Sequence, residues 1–343
     1  MRIGTYLYKV QFGGGEKQLI FLCKELAGKG HEIVIFTADE TIKNIKLPFT
    51  IILFKKDSNK ITRYKIIRQN IRRKRLDWFL MFYPQDFVLA AALLTKTPIL
   101  SFLCVDCQFY AKNILRKMIQ SFWLGCSKKV VFQTERVREA MPRYIRQKSV
   151  VIPNPIMIEY CKSSYTIEKR HVVSSVGRLA DGKGFDFLID SFSKACEGND
   201  YVLHIYGDGP LKGKLQQQIN DLHLDSRVFL DGYSDNVPQA ICSSEIFVLG
   251  SKSEGMPNAL IEAMAMGLAC ISTKFNSGAS EFLIQDGQNG LLVDYGDVGQ
   301  MANCIRYLIE NKEQRRDMQQ AALEIWNKLG KEKIVKEWEN SLK

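Results

Sequence analysis

Three segments of this 343-residue sequence carry side chains spaced for work on an anionic ligand rich in hydroxyl groups. Ser175-Val176-Gly177-Arg178-Leu179 is followed closely by Lys183-Gly184. Gly177 permits a tight turn, Arg178 offers a two-pronged guanidinium and Lys183 a point charge, so a short loop can bring both cations onto one diphosphate. Alone, the same residues also suit a surface loop with two solvated cations. In Ser253-Glu254-Gly255-Met256-Pro257-Asn258-Ala259-Leu260-Ile261-Glu262, Pro257 suits the first position of a helix. That places Glu254 in a loop and Glu262 near the second helical turn. The backbone N–H groups of Gly255, Met256, Pro257's neighbour Asn258 and Ala259 then lie beside one carboxylate able to bind sugar hydroxyls and a second able to bind a ribose. In Tyr206-Gly207-Asp208-Gly209-Pro210, Gly207 and Gly209 allow close backbone approach, or equally a plain strand-to-helix turn. The run Gly13-Gly14-Gly15-Glu16 reads in the same two ways and lacks the GxGxxG spacing of dinucleotide folds.

These segments sit at the ends of short apolar runs rich in Ile, Val and Phe, which alternate with stretches of helical period. In the first half the expected strands are 3–8, 32–37, 50–54, 78–82, 99–103, 130–133 and 150–152. In the second they are 171–177, 201–206, 228–230, 246–249, 269–272 and 290–293. This is the βαβ rhythm of a doubly wound parallel sheet, stated twice. Pro153-Asn154-Pro155 ends a strand and stiffens an extended crossing, so the boundary is placed there: residues 1–153 form one Rossmann-like domain and 154–324 a second. The expected architecture is α/β, two facing doubly wound domains with a cleft at the carboxyl ends of their strands. The last helical stretch, 313–342, is polar enough to lie on a surface, and its part from about 325 is expected to pack back on the first domain.

Composition narrows the function. No run of 18 uncharged apolar residues occurs, so no membrane span is expected, and the short apolar start suits a first strand rather than an export signal. A cytoplasmic chain is the expectation. Nine cysteines with a single CxxC (Cys104 to Cys107) and no histidine at ligand spacing argue against a disulfide framework and a zinc site. The net charge of +11 is uneven: residues 1–160 hold 28 Lys+Arg against 12 Asp+Glu, whereas 161–343 hold 20 against 25. Such a basic half attracts nucleic acid, anionic lipid or phosphorylated substrate. Residues 60–75 carry eight cations and no acid, with Ile61, Tyr64, Ile67 and Ile71 on one helical face. Residues 111–124 repeat the pattern, setting Lys112, Arg116 and Lys117 beside Ile114, Leu115, Met118, Phe122 and Trp123. Both read as amphipathic cationic helices suited to an anionic membrane surface, or as helices packing an apolar stripe on a sheet. No nucleic-acid module is recognisable, and no nucleic acid is expected.

In this order the segments resemble the retaining glycosyltransferases of family 4, a large GT-B group, over nearly the whole chain. Ser-Glu-Gly-Met-Pro-Asn-Ala-Leu-Ile-Glu-Ala-Met-Ala-Met-Gly resembles the family's E-x7-E signature, in the form common among bacterial enzymes that build capsular or lipid-linked polysaccharides. The resemblance implies that Arg178 and Lys183 hold the diphosphate of a nucleotide-sugar donor, Glu254 the transferred sugar and Glu262 the ribose. Gly14 would face the phosphates and Tyr233 the base. It further implies retention of anomeric configuration, a UDP-sugar with GDP-mannose left open, a polyprenyl-linked saccharide acceptor, and work at the inner face of the cell membrane. No Asp-x-Asp pair for a metal-bound diphosphate occurs and no cofactor is expected; the two cations would offset the charge growing on the leaving group. Where many members carry a histidine after the fifth strand, this sequence has Cys104, and Asp106 nearby is a candidate to bond a sugar or acceptor hydroxyl, or else to cap a turn. A nucleotide-sugar epimerase of the same fold, or a basic nucleic-acid-binding protein, are the alternatives.

Overall fold

A computed structural model describes residues 1–7, 14–44, 48–55, 57–82, 86–104, 114–158, 170–234 and 236–343. The chain divides into two compact units, Met1–Pro155 with Lys331–Lys343, and Ile156–Gly330.

The first unit runs β1 (Arg2–Leu7), α1 (Gly14–Gly28), β2 (Glu32–Thr37), β3 (Thr50–Leu53), α2 (Lys60–Lys74), β4 (Trp78–Met81), α3 (Asp86–Leu94), β5 (Ile99–Leu103), α4 (Ile114–Cys126), β6 (Lys129–Phe132), α5 (Glu135–Glu139), α6 (Arg143–Arg146) and β7 (Ser149–Val151). Its sheet is parallel throughout, in the order β3-β2-β1-β4-β5-β6-β7. The strands are near-continuous apolar runs because helices cover both faces of such a sheet, and β1, β2, β4 and β5 are buried along almost their whole length.

Helix α2 begins at Asn59, whose side chain accepts the Thr62 amide, and ends at Arg75 in the left-handed conformation. Ile67 and Ile71 are buried in the core, Tyr64 and Ile66 pack against it, and Ile61 stands 65% exposed. The apolar stripe of the cationic helix is therefore spent on the sheet. On α4 the outcome differs: Trp123 and Leu124 are buried, whereas Met118, Ile119 and Phe122 are 64%, 50% and 64% exposed. Residues 111–113 lie outside the described residues.

The second unit runs β8 (Arg170–Val176), α7 (Phe185–Ala195), β9 (Val202–Tyr206), α8 (Lys212–Asp221), β10 (Val228–Gly232), α9 (Val237–Ile241), β11 (Ser244–Leu249), α10 (Asn258–Ala265), β12 (Ala269–Thr273), α11 (Ala279–Leu283), β13 (Leu291–Val293), α12 (Val298–Glu310), α13 (Lys312–Ala322) and α14 (Ile325–Leu329). Its parallel sheet is ordered β10-β9-β8-β11-β12-β13. The core gathers Leu188, Ile189 and Phe192 of α7, Leu203 and Ile205 of β9, Ile246 and Val248 of β11 and Ile305 and Leu308 of α12.

The polar final stretch falls into three helices and is not confined to the surface. Arg315 of α13 is 4% exposed, and its guanidinium lies 3.1 Å from Glu245 while donating to the Leu308 and Ile309 carbonyls. The last helix, α15 (Lys331–Ser341), belongs to the first unit, where Trp338 stacks on Phe82 at 5.9 Å and meets Phe102 edge-on at 5.2 Å. Glu339 pairs there with Lys29 at 2.6 Å and His31 at 3.2 Å. Among the described residues no helix is long and apolar enough to cross a membrane.

Candidate functional site

In the second unit the strand order reverses between β8 and β11, the topological switch point where open α/β sheets leave a crevice beyond their carboxyl ends. The two loops that flank this point are 177–184 after β8 and 250–257 after β11. They hold Arg178, Lys183 and Glu254.

Lys183 crosses the switch point: its Nζ lies 2.5 Å from Oε1 of Glu254. Both side chains are partly buried, and the contact joins residues 71 positions apart in sequence. Ser251 Oγ donates to the same Oε1 at 2.8 Å. The loops are also tied through their backbones, the Lys252 amide donating to the Gly182 carbonyl at 2.7 Å. Arg178 is exposed and forms no side-chain hydrogen bond or ion pair among the described residues, so its guanidinium is available to an incoming anion.

A second backbone approach explains the glycines after β9. The Gly177 amide donates to the Tyr206 carbonyl and the Leu179 amide to the Asp208 carbonyl, each at 3.0 Å. A Cβ on Gly207 would fall 1.8 Å from the Gly177 carbonyl oxygen, and one on Gly209 would fall 2.3 Å from that of Leu179. These glycines let the β9 loop lie directly against the loop carrying Arg178.

Helix α10 starts one residue later than its sequence suggests. Pro257 is the N-cap, with φ −80° and ψ 103°, and makes no side-chain cap hydrogen bond. Proline's fixed φ suits either position, and its ψ here is that of an extended residue entering the helix. Gly255, Met256, Asn258 and Ala259 form the turn and first helical residues, and Glu262 lies half-buried on the second turn. Tyr233 follows β10 and is 58% exposed. In the first unit Gly14 and Gly15 open α1; Gly13 lies outside the described residues, as does Asp106. Burial pushes the pKa of the Cys104 thiol, immediately after β5, well up and the Glu16 carboxylate adds to the rise.

The structure thus brings Lys183 and Glu254 into contact within one unit and sets the Arg178 loop against the Gly207 to Gly209 loop. Sequence reading missed Ser251 and Thr273, both fully buried at the carboxyl ends of β11 and β12. The available signal was a hydroxyl residue three positions before Glu254, at the end of an apolar strand.

Residues 12–160 match the model of Glycosyltransferase Family 4, and residues 158–324 that of Glycosyl transferases group 1. An uncharacterized glycosyltransferase of Haemophilus influenzae is 26% identical over 99% of both chains. The N-acetylgalactosamine-N,N'-diacetylbacillosaminyl-diphospho-undecaprenol 4-alpha-N-acetylgalactosaminyltransferase of Campylobacter jejuni is 34% identical over 43% of this chain and 40% of its own length. Among solved structures, Anabaena HepE in complex with UDP-glucose superposes with a TM-score of 0.85 at 19% identity, covering 100% of this chain and 99% of that one, a likeness of fold. With two Rossmann-like parallel-sheet units, and with matches to both domain types running in turn from residue 12 to residue 324, the chain belongs to the GT-B glycosyltransferases of the family 4 type.

Proposed function

We propose that the protein transfers a hexose or N-acetylhexosamine from a nucleotide-sugar, a UDP-sugar, to a saccharide acceptor carried on a polyprenyl diphosphate, with retention of configuration and without a metal ion. The observation that carries this reading is the Lys183–Glu254 pair at the β8/β11 switch point: a cation of the kind that suits a phosphate and a carboxylate of the kind that suits sugar hydroxyls, held 2.5 Å apart. In the proposed complex the diphosphate takes Lys183 and Arg178, and Glu254, relieved of its ion pair, accepts hydrogen bonds from the sugar. The two cations then stabilise the charge that develops as the nucleoside diphosphate departs. Glu262 accepts from the ribose, and Tyr233 lies against the base. UDP is favoured by the UDP-glucose bound to the HepE neighbour, and a lipid-linked acceptor by the diphospho-undecaprenol substrate in the name of the Campylobacter relative.

The acceptor would be met at the inner face of the membrane. The supporting surface is apolar Met118, Ile119 and Phe122 of α4 together with exposed Tyr144 of α6, whose hydroxyl donates to the Ser121 carbonyl at 3.3 Å. Arg143 and Arg146, both exposed, flank Tyr144.

A thermal-shift screen against UDP, GDP, ADP and their sugars tests the donor. A selective shift names the nucleotide; no shift from any of them refutes the reading. Arg178→Ala should lower turnover and Glu262→Ala should weaken donor binding, each without loss of fold. Activity that is lost to a chelator and restored by Mg²⁺ or Mn²⁺ would overturn the metal-free mechanism. Conversion of the donor sugar without transfer would point to an epimerase.

A further inference from the structure

We infer that Ser251 is a positioning residue for the donor sugar: it fixes which oxygen of Glu254 faces the ligand and holds the carboxylate after Lys183 has turned to the diphosphate. The inference rests on the proposed role of Glu254. Ser251 is 0% exposed, so its hydroxyl has no water to bond and its one proton is committed to Glu254 Oε1 at 2.8 Å. The residue is anchored from two sides. Thr273 Oγ1, itself fully buried on β12, donates to the Ser251 carbonyl at 2.5 Å and lies 3.3 Å from that of Leu249. On the other side, the Lys252 amide is bonded to the Gly182 carbonyl in the β8 loop.

Both donors that reach Glu254 converge on Oε1, whereas Oε2 takes no hydrogen bond among the described residues. Oε2 is therefore the acceptor left for a sugar hydroxyl. The two donors differ in freedom. Lys183 is partly exposed on a flexible four-carbon stem and has a competing partner in the diphosphate, while the buried serine is shut off from water. In the ligand-free protein the two share the task; once the donor is bound, Ser251 performs it alone.

A hydroxyl that merely stabilised the loop would, when removed, weaken every ligand of the site together. A positioning hydroxyl matters only when a sugar is present. The test compares wild type, Ser251→Ala, Ser251→Thr and Glu254→Gln in binding UDP, GDP, UDP-glucose, UDP-N-acetylglucosamine and GDP-mannose by calorimetry. It also follows nucleoside diphosphate release from the preferred donor without acceptor.

For Ser251→Ala the expected result is a fall of about tenfold or more in kcat/KM for donor cleavage, the scale of one hydrogen bond to a charged group. Affinity for the nucleotide-sugar should fall with it, while affinity for the bare nucleoside diphosphate stays unchanged. Ser251→Thr, which keeps the hydroxyl, should restore most of the loss. Equal weakening of nucleotide and nucleotide-sugar, or no loss in Ser251→Ala beside a crippled Glu254→Gln, overturns the positioning role alone. A fully active Glu254→Gln, or a protein that binds none of the probes, overturns the role of Glu254 and this inference with it.

Discussion

Gly184→Ala separates the geometric account of the site from a purely chemical one. Gly184 follows Lys183 and is the N-cap of α7, in the left-handed conformation at φ 68° and ψ 26°. A methyl group built there meets the Gly250 carbonyl oxygen at 2.0 Å, its carbon at 2.9 Å and Phe187 Cδ1 at 3.0 Å. Relieving that overlap requires the two loops to part by at least about 1 Å, which stretches the bond from the Lys252 amide to the Gly182 carbonyl. The left-handed backbone costs about 1 kcal/mol for alanine, the stretched hydrogen bond about 1 kcal/mol more, and residual strain a similar amount. A destabilisation of about 3 kcal/mol in a unit of this size corresponds to a fall of about 6 to 12 °C in Tm. Gly198→Ala is the control, because Gly198 also has positive φ (75°) but nothing within 4 Å of its added Cβ. It should lose only the backbone part, about 2 to 4 °C. Calorimetric melting of the three proteins, with donor binding measured alongside, decides the matter. Equal falls in the two variants would refute the argument that these loops are held in close approach.

Three further outcomes follow from single contacts. Arg315→Met leaves the partly buried Glu245 carboxylate, which also accepts from the Tyr201 hydroxyl, without its cation; unfolding should become easier by about 2 to 4 kcal/mol, and Glu245→Gln added to it should recover part of the loss. Trp338→Ala removes the ring that fills the space beside Phe82 and Phe102; it should destabilise the first unit by about 3 to 5 kcal/mol and expose residues 331–343 to limited proteolysis. The hydrogen bond from Lys29, helped by that from His31, holds the Glu339 carboxyl below the usual glutamate range. A depressed folded-state pKa stabilises above the unfolded value and ceases to as pH falls through the folded one. The protection factors of the α15 amides, exchange rates taken relative to the intrinsic rate at each pH, should therefore fall on acidification below about pH 4, and Glu339→Gln should flatten that dependence.

Much of the fold was legible because a strand buried on both faces must be a near-continuous apolar run. Each of the thirteen expected strands has a counterpart in the two sheets, with ends shifted by no more than two residues. The glycine turns were legible as turns, but their cause was not. Gly207 is required by the Gly177 carbonyl and Gly184 by that of Gly250, contacts between neighbouring strand ends that no local pattern encodes. The same limit hid Ser251. A serine at the end of a strand suits any loop, and only the fold brings its hydroxyl to Glu254. Pro257 was displaced by one position because proline's φ serves the N-cap and the first helical residue alike. The polar final stretch is not all surface because Arg315 is buried by a partner distant in sequence, Glu245, a contact that no local pattern encodes.

The two basic amphipathic segments, which pattern alone leaves open to either reading, yield the sharpest test of the proposed membrane contact. In sequence both show an apolar stripe beside cations. On α2 the spacing of Tyr64, Ile67 and Ile71 matches what one sheet face accepts, and only Ile61, beyond the edge of the packing, is left over. On α4 the sheet takes Trp123 and Leu124, leaving Met118, Ile119 and Phe122 as apolar surface beyond the needs of the core, extended by Tyr144 and bordered by Arg143 and Arg146. Seating a phenylalanine in lipid is worth about 1.5 to 3 kcal/mol, so Phe122→Glu should weaken binding to phosphatidylglycerol vesicles at least about tenfold. Ile61→Glu should leave binding nearly unchanged, and neutral phosphatidylcholine vesicles should bind poorly for want of the electrostatic attraction that the arginines supply. Vesicle co-sedimentation at low and high salt measures all of these together. Equal loss from the Ile61 and Phe122 variants would mean that charge density alone drives the contact, and the assignment to α4 and α6 would fall.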